Sequence, residues 1–245
     1  MDSKNMTLKD ALEQFEVKDN VTELELEAEF RKLAPSFLYG GYIDVDGKYR
    51  IYIRTVEFYF HAEEDSTITI KDPIVYHRNN RYVEGKVPYF PLMSFHAHLS
   101  GFDITFESEK KKYRASALIR VFEVYDEVNK RFLIYNKEKA KFVEWHKGMK
   151  YENKYKHEKI EQFTHQSTYI YDFLNGFCTN SIKWKNDRWE DRLPAGRKEI
   201  LSNTRKNVYC THSKDENNEY LIIKGKEKKS DERKWSFRRE DDVIL

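Results

Sequence analysis

Residues 39–60, YGGYIDVDGKYRIYIRTVEFYF, constrain the fold more than any other stretch of this chain. Gly40-Gly41 and Asp46-Gly47 punctuate two runs rich in Tyr, Ile and Val. Asp-Gly between two such runs predicts a β-hairpin, because the turns that match strand twist need positive φ at their centre. In the second run Ile51, Ile53, Thr55 and Glu57 alternate with Tyr52, Arg54, Val56 and Phe58. Neither set is cleanly polar, so the strand is expected to be covered on both faces. Glu57 then becomes a carboxylate held away from bulk water, ahead of a turn with His61, Glu63, Glu64 and Asp65.

The segments around this hairpin follow other periods. Thr7 can cap a helix with Leu8, Ala11, Leu12 and Phe15 on one side, and Thr22 can cap a second with Leu26, Phe30 and Leu33. Pro35 is expected to end that second helix or reset its direction. Residues 73–89 read as a loop, given Pro73, Asn79-Asn80, Gly85 and Pro88. Strands are expected again in YFPLMSFHAHLSGFDITFES, YRASALIRVFEVYD, KRFLIY and EYLIIKG, with a short helix in STYIYDFLNG capped by Ser167 and ended by Gly176. The sum is an α+β fold: a single domain over 1–245 with a curved antiparallel sheet flanked by helices, an acidic helical segment at 1–20 and a core at 21–239.

Charge is informative through its distribution. The net charge is +2, yet residues 1–30 carry nine acids and three lysines, which leaves +8 for the remainder. Basic residues crowd 137–159, 183–206 and 224–239, beside Trp145, Tyr151, Tyr155, Trp184, Trp189 and Trp235. Cations for phosphates beside flat rings for bases predict contact with nucleic acid. Arg78, Arg81, Arg205, Lys206, Lys234 and Arg238 are the candidate phosphate contacts. No run reaches the roughly 20 apolar residues of a membrane-spanning helix, and the first ten residues lack the apolar centre of a signal peptide, so no membrane partner and a cytoplasmic location are expected. Cys178 and Cys210 have no CxxC spacing and read as two buried thiols.

Two constellations carry chemistry. His96 and His98, two apart on a strand, project from one face as metal ligands do, but the nearest third ligands, Asp103 and Glu107, fit no common spacing. The expectation is therefore no metal and no cofactor, with a metal-dependent enzyme built on His96 and His98 as an alternative. Arg120 sits in the middle of the apolar run SALIRVFEV. A guanidinium there must pair with a carboxylate, Glu57 or Asp103, or face a ligand. There is no P-loop, GxGxxG, GxSxG or HExxH, which removes most nucleotide-hydrolysing, dinucleotide and α/β-hydrolase chemistry.

The order of these blocks resembles the alkyladenine (methylpurine) DNA glycosylase family over about residues 28–239. RKLAPSFLYGG stands where the family has a helix ending in LA..LLG, RIYIRTVEFYFHAEED where it has a GRIVETEAY strand, and VYHRNNR where it has a T.RN loop. EGKVPYFPLMSFHAHLSGFDI follows loosely its PG..YVY..YG.....N pair, SALIRVFEV its VLIRALEP strand, and KWSFRRE its PWRFY segment. The resemblance implies a glycosylase-like fold and a DNA-binding, monomeric protein. Such enzymes flip a damaged purine out of the duplex, and a glutamate activates the water that attacks the anomeric carbon.

The resemblance also assigns residues. Matching the family's first strand glutamate to Glu57 leaves Tyr59 at the catalytic position and His61 at the stacking tyrosine. A shift of two residues makes Glu57 catalytic, and only that register keeps the chemistry, because a tyrosine hydroxyl holds its proton to about pH 10. The family's pocket asparagine corresponds to Asp103 and its strand arginine to Arg120, with Phe95 and His96 nearest to the intercalating tyrosine. The implied site is Glu57 as general base, with Tyr59, His61, Phe95, His96, Asp103 and Arg120 around the substrate. The partner is double-stranded DNA with a flipped base. The alternative is a non-catalytic module of the same fold that binds RNA, DNA or a modified nucleotide.

Overall fold

The computed structural model describes residues 6–72, 74–75, 77–79, 86–98, 101–136, 141–144, 182–187, 200–203 and 233–239. Two helices and ten strands are placed there: α1 (Leu8–Glu13), α2 (Glu23–Leu38), β1 (Gly41–Val45), β2 (Tyr49–Ala62), β3 (Phe95–His98), β4 (Gly101–Thr105), β5 (Tyr113–Asp126), β6 (Arg131–Asn136), β7 (Lys141–Glu144), β8 (Ile182–Asn186), β9 (Ile200–Asn203) and β10 (Ser236–Arg239). The strands form one sheet, antiparallel at each pairing, so the α+β expectation holds with sheet dominant and helices few among the described residues. The expected helix in STYIYDFLNG and strand in EYLIIKG lie outside the described residues.

Both helices start where their caps allow. Thr7 and Thr22 each accept the backbone N–H three residues on, and Asp10 and Glu25 reach back to the cap N–H, which satisfies two exposed donors at each end. Contrary to the sequence expectation, α2 runs through Pro35 to Leu38. The last turn buries Phe37 and Leu38 completely, and this burial outweighs the lost hydrogen bond at the proline.

The β1–β2 hairpin turns as the Asp-Gly signal predicts. Asp46 (φ 57°) and Gly47 (φ 66°) both occupy the left-handed region, and the Lys48 N–H closes the turn on the Val45 carbonyl at 3.1 Å. Gly41 answers a different need: a Cβ there would lie 2.1 Å from the Lys185 carbonyl of β8.

β2 and β5 are the long central pair, and both carry an irregularity. The register Ile53↔Phe122, Thr55↔Val121, Val56↔Ile119 leaves Arg54 and Arg120 without a direct opposite. An extra residue on a strand reverses the facing of everything beyond it. Ile51 and Ile53 therefore share the core face with Val56, Phe58, Phe60 and Ala62. This corrects the simple alternation: Glu57 shares its face with Tyr59 and His61, not with Ile51 and Ile53.

The core lies between this first face and the helices. Phe30 of α2 stacks on Phe58 at 4.6 Å and meets Trp235 edge-on at 5.2 Å, and Phe37 and Phe237 each meet Phe58 edge-on at 5.6 Å. The opposite face of β2 and β5 is also buried, as expected, but it is polar.

Candidate functional site

The second face is ordered in lateral rows. Partners in an antiparallel ladder share a face, so Ser236↔Glu57, Glu57↔Leu118, Leu118↔Asp103 and Asp103↔His96 form one row across β10, β2, β5, β4 and β3. The next row holds Tyr59, Ser116 and Thr105, and the one after it His61 and Arg114. Sequence reasoning named five of these positions, Glu57, Tyr59, His61, Asp103 and His96 on three strands, and brought them to one surface only through the resemblance.

Glu57 is 1% exposed and Arg120 7%. One carboxylate oxygen of Glu57, Oε2, accepts the Tyr59 hydroxyl at 3.0 Å and stands 3.2 Å from Arg120 Nε. The arginine is thus paired with the carboxylate that its apolar strand requires, and two of the three candidates from the hairpin meet in one cluster. Removing one partner of such a buried pair leaves a charge without compensation, a change that typically costs about 3–5 kcal/mol. Tyr59 is only half-buried, so its ring has an open side.

His61 continues the same face under different control. Its Nδ1 accepts the Asp72 backbone N–H at 3.1 Å, which puts the ring proton on Nε2. Burial foremost, then the charges of Lys71 and Arg78, lower its pKa to about 3, against the opposing pull of Asp72. It is a neutral imidazole at physiological pH. Asp72, fully buried, faces Arg233 Nη2 at 3.6 Å, and Arg233 lies over the Trp235 ring at 4.4 Å.

Beyond His61 lies a hub that the sequence did not reveal. Arg114, with no exposed surface, donates from Nε to Glu63 (2.8 Å), from Nη1 to Glu107 (3.0 Å) and the Pro88 carbonyl (2.9 Å), and from Nη2 to Asn79 (3.3 Å) and the Val87 carbonyl. Its guanidinium carbon sits 3.7 Å from the Tyr89 ring centre. Burial pushes the Tyr89 hydroxyl up to about 12 although this arginine opposes the shift. Glu63 also accepts the Asn79 N–H at 3.1 Å, Glu107 accepts the Phe90 N–H at 2.8 Å, and His77 Nδ1 meets Glu107 Oε1. One guanidinium so fastens residues 77–79 and 86–90 to the sheet. Even spacing through Arg114, Ser116, Leu118 and Arg120 was the available signal.

The remaining candidates divide. Asp103 is buried on the polar face, and half-buried His96 packs its ring 4.1 Å from that of Phe90. Phe95 is not part of this group: it lies against the core and stacks on Phe102 at 5.6 Å, because alternation along β3 turns it away from His96. Of the basic candidates, exposed Lys234 and half-buried Arg238 alternate with buried Trp235 and Phe237, so they share the face of Ser236 and Glu57. Arg78 is half-buried in the 77–79 segment, and Arg81, Arg205 and Lys206 lie outside the described residues. Among the described residues no group of three or more His, Cys, Asp or Glu is placed to hold a metal ion, and the side chain of His98, on which the metal-enzyme alternative depends, lies outside the described residues. No helix among them is long and apolar enough to cross a membrane.

Comparison with protein-family models, with curated proteins and with solved structures finds no match for this chain.

Proposed function

We propose that the protein binds nucleic acid on the polar face of its sheet and acts there on an extruded base, as a purine-excising DNA glycosylase of methylpurine-glycosylase-like fold. The observation that carries this reading is the buried Glu57 carboxylate, oriented by Tyr59 and Arg120 on a face that a two-layer fold could have filled with apolar side chains. Glu57 is the group that takes a proton from the attacking water, and Arg120 fixes its direction. The half-open Tyr59 ring offers a stacking surface, and Lys234 and Arg238 flank the row for phosphates. The resemblance supports this reading, in the register that makes Glu57 the family's catalytic glutamate. Base-excision repair is the process such chemistry serves.

The test is release of base from duplexes carrying a deaminated or alkylated purine, read as alkali-labile abasic sites. Wild type is expected to form them, and Glu57→Gln to form them at least about 100-fold more slowly. Equal product from the two proteins removes Glu57 from the mechanism.

A second reading, a non-catalytic module that holds a base or modified nucleotide, is favoured by one feature. The same Glu57 oxygen accepts the Tyr59 hydroxyl and is ion-paired with Arg120, an arrangement suited to a fixed recognition group. It predicts salt-dependent binding of DNA or RNA without base release. Absence of binding to either at low salt rejects it.

A further inference from the structure

We infer that Tyr59 is a covalent nucleophile, activated by Glu57 and aligned by Arg120, so that the protein removes a base with retained configuration and can pass the sugar to acceptors other than water. This inference rests on the reading of the site as a glycosylase centre. An activated nucleophile is recognised by three parts: the attacking group, a base within hydrogen-bond reach of it, and a third group that orients the base. The polar face holds all three. The Tyr59 hydroxyl donates to Glu57 Oε2 at 3.0 Å, and Arg120 Nε stands 3.2 Å from the same oxygen.

Exposure decides which of the three meets a substrate. Glu57 and Arg120 are buried, whereas Tyr59 is half-buried and has an open side. A sugar laid on this face therefore meets Tyr59 rather than the enclosed carboxylate. The row of Tyr59 continues in Ser116 and Thr105, two short side chains, where the row of Glu57 is filled by Leu118 and Asp103. A phenol keeps its proton to about pH 10, so as a nucleophile it needs the base that Glu57 supplies. The permanent charge of Arg120, held at the same oxygen, favours the negative charge that develops on the phenol as its proton leaves. His61 does not compete: Nδ1 accepts the Asp72 N–H and Nε2 carries the ring proton, so neither nitrogen has a lone pair to give. Glycoside hydrolysis offers a precedent in sialidases, whose nucleophile is a tyrosine.

The steps balance in two halves for a cationic, N7-alkylated purine nucleoside. First, the Tyr59 oxygen bonds to the anomeric carbon and its proton passes to Glu57. The bond from carbon to base nitrogen breaks, and its electron pair leaves with the base, which departs neutral. A water oxygen then bonds to the anomeric carbon; the carbon–tyrosine bond breaks, its pair stays on the tyrosine oxygen, and Glu57 returns its proton there. Glu57 takes the proton that the water sheds and loses it to solvent. Two inversions restore the starting configuration. An alcohol in place of that water yields a glycoside of the same configuration, whereas direct attack on the nucleoside yields the opposite one.

The experiment is release of 7-methylguanine from a duplex in buffer containing methanol. The configuration of the methyl deoxyriboside left in the strand is read by chromatography after digestion, against standards of both anomers. Wild type is expected to give the β anomer, the configuration of the starting nucleoside. Tyr59→Phe keeps the ring and removes the hydroxyl; it is expected to release base at least about 100-fold more slowly and to form none of that anomer. Thermal melts separate this from loss of fold, and the wild-type anomer decides the matter whether or not the variant folds. Base release by wild type without the β methyl glycoside, or by Tyr59→Phe at the wild-type rate, overturns the nucleophile and leaves the glycosylase reading standing. Failure of wild type to release the base overturns both.

Discussion

His61 shows how one position on the polar face ties stability to pH. An unfolded histidine binds a proton near pH 6.5, whereas folded His61 does so only near 3. Between these values the unfolded chain holds more protons. The contribution of His61 is therefore complete above about pH 6.5 and declines on acidification by up to about 1.4 kcal/mol per pH unit until about pH 3. Urea midpoints of wild type and His61→Gln, measured from pH 7 to 4, are expected to converge as pH falls; parallel curves would mean that the ring binds its proton equally well in the folded and the unfolded chain. At this scale legibility in the sequence depended on contrast. Glu57 and Arg120 stood out as single charges inside apolar runs, and they proved to be partners. Arg114, second residue of the expected strand YRASALIRVFEVYD and close after Lys110, Lys111 and Lys112, was not singled out, although it is among the most enclosed side chains described. Its even spacing with Ser116, Leu118 and Arg120 was the one local cue, and beside three lysines that cue gave no contrast.

Helix starts were legible because caps are local chemistry: Thr7 with Asp10 and Thr22 with Glu25 announce their helices within four residues. The paired irregularity at Arg54 and Arg120 was not, since neither strand carries a Gly or Pro there and the signal is a register between residues 66 positions apart. That irregularity decides which side chains accompany Glu57. Deleting Arg54 removes the extra residue of β2, so strict alternation then keeps Ile51 and Ile53 on the core face and Glu57 on the polar one, and only the match to the irregularity at Arg120 is lost. The deletion is expected to preserve cooperative unfolding, followed by near-ultraviolet circular dichroism, at lower stability. Loss of the cooperative transition would show that the irregularity itself is required. The continuation of α2 past Pro35 has the same lesson in reverse: a local breaker yields where Phe37 and Leu38 must be buried.

At the scale of the molecule, a two-layer fold needs one apolar face on its sheet, and α2 supplies the cover for it. The second, polar face is the feature that fold alone does not require, and Lys234, just before β10, and Arg238, within it, are placed on it. If Lys234 and Arg238 contact phosphates, replacing both with Ser and Gln is expected to lower the slope of log affinity against log salt by up to about two for duplex DNA, with little change among sequences. An unchanged slope assigns binding, where present, to other cations. The charge asymmetry pointed to such a surface, but nothing in KWSFRRE told which strand it would join. That pairing sets a timetable as well. Ser236 reaches Glu57 from 179 positions later in the chain, and a ribosome working at about 5–20 residues per second needs roughly 10–40 s to supply it. Throughout that interval the nascent hairpin waits with part of one border bare, beside rings that Trp235 has yet to cover, so escort by a chaperone during translation should matter more for yield than any property of the finished molecule.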